Sequence, residues 1–254
     1  MILFLRSRCH QKTVRSFITD NRLPNQPNDG ICRTCYWECA PAEIPDGRSC
    51  GLEPKVLLGD SRFYRINFLW QSNALFIRDL HRFDERVLSA NYDSILTNRS
   101  LACGTLPVMD GALWSGMPEA GIWPVVIMPN GGSVPLAVEG SPVVQELNAM
   151  DLGISQVIQG GGRLSIVCGE SNVTFACADE RGQPLRLAWD MVGGAGQASA
   201  VRQVASNGIA YFYAGVNYQL RLAPGAGSCQ PLSNGAIRLS PNSSGKLVLR
   251  LGGF

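Results

Sequence analysis

The sequence predicts a mainly β protein: a β-rich N-terminal region with a cysteine-rich loop and one helix, followed by a C-terminal β-sandwich. Three observations predict it. From about residue 154 onward, short apolar runs recur at roughly 8 to 12 residue spacing with Gly, Asn or Pro between them, the signature of a sandwich or barrel. Several of these runs alternate apolar and polar residues, the period of a strand with one buried face. Only one segment of the chain carries a good helical period. With 254 residues the chain can bury a core without covalent staples.

The elements follow in order. Residues 1 to 20 show no clean period and read as a short helix or an extended arm, and NRLPNQPNDG (21 to 30) is a loop by its prolines, asparagines and closing Asp29-Gly30. The cysteine segment comes next and is also turn-rich. KVLLGD, then RFYRINFLW with Tyr64, Ile66, Phe68 and Trp70 on one face, then ALFIRDL, predict a β-meander. Residues 82 to 97 read as the helix, with Phe83, Val87, Tyr92 and Ile95 near a 3.6 period and Asp84 and Glu85 in the first turn, where the helix dipole favours negative charge.

Within the Gly- and Pro-rich stretch 101 to 151, GIWPVVIMPNGGSVPLAVEG predicts a hairpin turning at Asn130-Gly131. Pro124 and Pro135 cannot donate to a ladder, which places this hairpin at the periphery. Then come ISQVIQ, RLSIVCG, VTFACAD, LRLAWDMV, SAVRQVA, IAYFYAG, YQLRLAP, AIRLSP and KLVLRLG as strands. Leu185, Leu187 and Trp189 share one face, as do Tyr218, Leu220 and Leu222. The last strand ties the C-terminus into a sheet. The organisation is 1–60, an arm and cysteine-rich segment; 61–151, a β-rich region with the helix; and 152–254, the sandwich.

Charge excludes some function classes. With 22 basic and 20 acidic residues the net charge is +2, so no strong field points to nucleic acid or an anionic membrane. Lys occurs only at Lys12, Lys55 and Lys246; the other basic residues are Arg, the residue favoured at desolvated interfaces. A membrane span would need about 20 apolar residues and none occurs. The opening MILF run is broken by Arg6 and Arg8, so no signal peptide is expected.

The motif with most chemistry is ICRTCYWECAPAEIPDGRSCG, which places Cys32, Cys35, Cys39 and Cys50 in one short segment with spacing C-x2-C-x3-C-x10-C. The first pair can hold one metal from a tight turn, and thiolates select zinc or an iron–sulfur cluster. Two disulfides and reduced thiols are the alternatives, and the nine cysteines cannot all pair within the chain. Tyr36 and Trp37 could screen a cluster from water. Cys9-His10 offers a spare ligand pair. Around GESNVTFA, a tight turn at Glu170-Ser171 sets Cys168 opposite Val173, not Cys177, which predicts buried thiols. Nothing predicts a partner for Cys103 or Cys229.

No enzyme motif stands out. Walker A and H-E-x-x-H are missing from the sequence. His10 and His81 are the two histidines; His81 reads as a surface or capping residue ahead of the helix. QGGGR (159 to 163) is a turn, and Asp84-Glu85 and Asp179-Glu180 fall where turns or caps expect charge. Asn98, Asn172 and Asn242 head glycosylation sequons that matter only in a secretory pathway.

Cys35-Tyr36-Trp37 and Gly47-Arg48-Ser49-Cys50-Gly51 resemble the four-cysteine iron–sulfur segment of tail-tip and baseplate-hub proteins of long-tailed bacteriophages. The resemblance covers about 20 residues. It implies a non-enzymatic virion protein made in the host cytoplasm, with Cys32, Cys35, Cys39 and Cys50 as ligands of an iron–sulfur cluster or of zinc. Its partners would be other subunits of a large assembly, or a host receptor or glycan met by the sandwich. A carbohydrate-binding adhesin with disulfide-linked cysteines, offering Tyr211, Phe212, Tyr213 and Tyr218 to sugars, is the first alternative. A thiol- or cluster-dependent enzyme is the second.

Overall fold

The computed structural model describes residues 33–38, 55–87, 105–111, 119–128, 130–185 and 187–252. It is mainly β, with two antiparallel sheets and one short helix among the described residues. The first sheet opens with β1 (Arg33–Glu38), β2 (Lys55–Asp60), β3 (Tyr64–Gln71) and β4 (Ala74–Arg82), an antiparallel run that includes the expected meander. β5 (Leu106–Asp110) adds to β4, and β6 (Gly121–Ile127) carries β7 (Ser133–Pro135) beside it. The second sheet begins with β8 (Val138–Glu146), β9 (Leu152–Ile158), β10 (Arg163–Cys168) and β11 (Asn172–Ala178).

β12 (Leu187–Val192) then returns to the first sheet beside β6. Helix α1 (Ala195–Ala200) leads into β13 (Val201–Ala205), β14 (Gly208–Tyr213) and β15 (Val216–Leu222) of the second sheet. β16 (Ser228–Pro231) and β17 (Ile237–Ser240) again join the first, and β18 (Lys246–Arg250) lies between β15 and β11 in the second. The expected division at residue 152 therefore does not divide the hydrogen bonding: β8 pairs with β9 across it, and β6 pairs with β12.

The sequence pattern explains the layers. Tyr64, Ile66, Phe68 and Trp70 are all buried while Arg65 and Gln71 stay exposed; Tyr218, Leu220 and Leu222 alternate with exposed Asn217, Gln219 and Arg221. The inward faces of both sheets merge into one apolar cluster. Trp189 of the first sheet meets Phe175 of the second at 4.3 Å between ring centroids. Polar tips tie the sheets together. Tyr64 donates to the Gly169 carbonyl at 2.7 Å, Trp70 Nε1 to Gln156 Oε1 at 3.0 Å, and Tyr218 to the Pro107 carbonyl. A buried tyrosine or tryptophan needs such a partner for its one polar atom.

Three expectations change. Arg82 ends β4 and residues 83 to 87 form a non-helical turn, so the helix does not begin where its period placed it; residues 88 to 97 lie outside the described residues. The periodic apolars Phe83 and Val87 follow a strand whose ladder extends to Arg82, and Asp84 accepts from the Arg86 backbone N–H instead of capping a helix. The Asn130-Gly131 hairpin forms, but β6 is central, not peripheral. Pro124 is tolerated there because its carbonyl accepts from Leu136, which turns its ring nitrogen toward the junction where β4 gives way to β7 and no donor is required. Finally, Arg33–Glu38 is a strand, where a turn had been expected around the first cysteine pair.

QGGGR is the expected turn. Gly162 sits at φ +101, and a Cβ there would meet the Ala178 carbonyl at 2.5 Å, so glycine is required for both reasons.

Candidate functional site

The polar cluster of interest lies on the face of the first sheet turned away from the shared core. In β4, Asp79 and His81 are two residues apart, so both project from the same face. Ladder register sets Asn67 of β3 opposite Asp79, and Asp110 of β5 opposite Asp79 on the other side. A bulge in β5 then shifts the pairing, leaving His81 opposite Pro107. Bulges re-aim side chains at sheet edges, and this one brings the imidazole to Asp110.

His81 Nε2 lies 3.3 Å from Asp110 Oδ2, and His81 Nδ1 lies 2.8 Å from Thr105 Oγ1. The His81 and Asp110 side chains are only 13% and 5% exposed, so the pair is largely withdrawn from water. Asp79 is held by two donors: Asn67 Nδ2 at 3.1 Å to Oδ2 and the Gly111 backbone N–H at 3.0 Å to Oδ1. The Asn67 Oδ1 atom is buried and has no hydrogen-bond partner. One nitrogen and two carboxylate oxygens, from His81, Asp79 and Asp110, lie within 4.8 Å of one another.

Two chemistries fit such a set. The donors can converge on a divalent cation. Alternatively, the order hydroxyl, imidazole, carboxylate through Thr105, His81 and Asp110 is that of a nucleophile, base and orienter. His81 is thus neither a surface nor a capping histidine. The signal was present in the sequence as Asp79-Leu80-His81, a D-x-H pattern inside a strand, which fixes both side chains on one face.

The four cysteines expected as ligands fare differently. Cys35 lies in β1, paired with Leu58; Cys32, Cys39 and Cys50 lie outside the described residues, as do Cys9, His10 and Cys103. Cys168 pairs with Val173 as expected, and Cys168, Cys177 and Cys229 are buried thiols. Burial pushes the Cys177 thiol up to about 11 and Cys229 up to about 12, so neither holds a reactive thiolate near neutral pH.

Asp179 and Glu180 sit in a turn, where Asp179 accepts from the backbone N–H groups of Arg181 and Gln183. Of the four rings offered to sugars, Tyr211 and Tyr218 are buried and stacked at 5.0 Å. Phe212 and Tyr213 are exposed, with the Arg202 guanidinium 5.1 Å from the Phe212 ring centroid. As neighbours in β14 they point to opposite sides of the sheet and do not make one platform.

No family model matches the chain, and no curated protein matches it. Among solved structures it is similar to an active YidC insertase crystal structure with the first transmembrane domain resolved, at 14% identity and a TM-score of 0.41, over 78% of this chain and 39% of that one. The chain thus spans about two fifths of that protein's length, and at this overlap no activity is carried across. Among the described residues no helix is long and apolar enough to cross a membrane.

Proposed function

We propose that this chain is a non-enzymatic structural and interaction protein of a larger assembly, of the phage tail-tip or baseplate kind, in which the second sheet packs against a neighbouring subunit. The observation that carries this reading is the second sheet's face away from the core. Register places Gly153, Ser155, Ser165, Val167, Thr174 and Ala176 side by side on that face. They are short, uncharged and half-buried. Beside them Val143, Leu147 and Val157 stand 60%, 50% and 43% exposed. A patch of short side chains edged by apolar ones, with the charged Arg163, Lys246 and Arg250 at its border, suits another protein surface better than it suits a small substrate.

The free edge of β8 is not the docking element. Pro142 and a bulge between Glu139 and Val143 blunt it, which directs association to the face. In this reading Cys32, Cys35, Cys39 and Cys50 form a metal-stabilised clip holding an iron–sulfur cluster or zinc, and the chain resides in the virion.

Mass spectrometry of particles purified from the producing host should find the chain at fixed stoichiometry. Ser165→Arg or Ala176→Arg should leave the isolated chain folded yet lower its incorporation by about tenfold, because each buries an unpaired charge in the contact. Absence from particles, or normal incorporation of both variants, overturns the reading. The clip is tested by anaerobic purification, an absorption spectrum near 400 nm and metal analysis. A broad band with iron and sulfide supports the cluster and zinc supports the clip alone; a metal-free chain with oxidised thiols turns the assignment toward the disulfide-linked adhesin.

A further inference from the structure

We infer that Asp79, His81 and Asp110 form a binding site for a first-row divalent cation of the zinc class, with Asn67 and Thr105 orienting it. This inference is independent of the assembly reading and of the cysteine segment, because its donors are oxygen and imidazole, not thiolate. Four observations converge on it.

The first is distance. A charge-assisted N–H···O bond between imidazole and carboxylate closes to about 2.7–2.9 Å, whereas His81 Nε2 and Asp110 Oδ2 stand 3.3 Å apart. Zinc bonds of about 2.0 to 2.1 Å in a tetrahedron separate neighbouring donors by about 3.4 Å. The pair is therefore spaced as two ligands of one ion. The second is charge. Asp79 and Asp110 face each other directly across an antiparallel pair, where like charges repel. A divalent cation between them converts that repulsion into attraction.

The third is the imidazole's other nitrogen. Metal-binding histidines use one ring nitrogen for the ion and donate from the other to an oxygen, which fixes tautomer and ring orientation. Thr105 Oγ1, 2.8 Å from Nδ1, fills that role and leaves the Nε2 lone pair directed at the carboxylates. The fourth is Asn67. Its Nδ2 is spent on Asp79, while its Oδ1 is a buried acceptor with no partner. An orphaned carbonyl oxygen on the amide that holds Asp79 is suited to accept from a water on the ion. The Gly111 N–H meanwhile holds Oδ1 of Asp79, and Oδ2, which accepts one bond from Asn67 Nδ2, keeps a second lone pair for the metal.

Three protein ligands of type N, O, O suit zinc, cobalt or manganese better than a soft ion. Zinc binding here displaces the proton from Nε2 to solvent when that nitrogen carries it.

The test uses the full chain stripped of metal and titrated with zinc chloride, reading bound zinc by metal analysis and thermal stability in parallel. Wild type should bind one equivalent beyond any held by the cysteines. Asp79→Asn, which preserves shape, should lose that equivalent and the associated rise in Tm. Thr105→Val should retain the site with affinity weakened about ten- to a hundredfold. Replacing zinc with cobalt distinguishes this centre, since its visible spectrum should lack thiolate charge transfer and should vanish in Asp79→Asn. Equal zinc stoichiometry and equal cobalt spectra in wild type and Asp79→Asn, or no binding beyond the cysteines in wild type, overturns the assignment. If Asp79→Asn fails to fold, unchanged zinc affinity in Thr105→Val overturns it equally.

Discussion

The two sheets share one core, yet they turn different chemistry away from it. The first sheet presents Asn67, Asp79, His81 and Asp110 as a half-buried polar cluster on β3, β4 and β5. The second presents Gly153, Ser155, Ser165, Val167, Thr174 and Ala176, short residues without charge. Both faces come from the same strand alternation, so strand formation does not explain the difference. Outward positions in a sheet need only be compatible with water; gathering two carboxylates and an imidazole on one face, and a patch of short side chains with Arg163, Lys246 and Arg250 only at its border on the other, separates a ligand-type surface from a contact-type surface. This contrast has meaning only if the two sheets are one folding unit, and the first and third predictions test that.

The largest effect is expected from Trp189→Ala. The indole is buried in the first sheet and packs on Phe175 of the second, so its loss removes apolar area from both and should destabilise the chain by about 4 kcal/mol. Urea unfolding followed by fluorescence and circular dichroism should remain a single transition. Two separated transitions would break the comparison, since each sheet would then be a unit of its own.

Next comes Arg238→Met. Arg238 donates from Nε and Nη2 to the two oxygens of Asp190 at 2.7 Å each, and from Nη2 to Ser133 Oγ at 2.9 Å. Both side chains of the ion pair are about nine-tenths buried, and the pair joins β12, β17 and β7 within the first sheet. Removing the arginine strands Asp190 and should cost about 3 kcal/mol, whereas the double variant Arg238→Met with Asp190→Leu should recover much of it. An equal loss in both would mean that the effect comes from packing alone.

A smaller effect, about 1 kcal/mol, is expected for Tyr64→Phe, which deletes the hydroxyl donated to Gly169 across the sheets and leaves the ring in place. Amide exchange in the β10–β11 turn should accelerate while exchange in β2 does not. Uniform acceleration would show that the hydroxyl supports global stability and not the tie between sheets.

Much of the fold was legible because strand alternation is a local signal. Tyr64 to Trp70 and Tyr218 to Leu222 announce their buried faces, and the turn at Glu170-Ser171 fixes Cys168 opposite Val173 from residue numbers alone. The return of β12, β16 and β17 to the first sheet was not legible, because strand partners far apart in sequence leave no periodic trace. The region after His81 misled through a different cause. Phe83 and Val87 approximate a helical period, but ladder pairing carries β4 to Arg82 and the chain then turns. The polar cluster was half-legible. Asp79 and His81 announce a shared face, while Asp110 joins them only through a β5 register that includes a bulge, and no spacing rule reveals that.

The smallest effect lies where the two sheets meet at the rim. Arg86 donates from Nε and Nη2 to the Asp84 carboxylate at 2.8 and 2.6 Å, and its Nη2 also reaches the Asn217 carbonyl of β15 at 3.3 Å. The Arg86 hydrogen bonds hold the Asp84 carboxyl down at about 2. An unfolded aspartate titrates near 3.9, so the folded state binds its proton less readily. The stabilisation from this group is therefore fully present above about pH 4 and is lost as pH falls through about 2. Because Arg86 is solvent-exposed, solvent screens the pair and the contribution is small. Comparing urea midpoints of wild type and Asp84→Asn should give a constant difference from pH 7 down to about pH 4 and a shrinking one below it. The Asp84 carboxyl carbon, followed by NMR, should titrate near 2; titration at an ordinary aspartate value would mean that the rim pair does not hold in solution and that the ties between the sheets are those of the buried tyrosines and tryptophan.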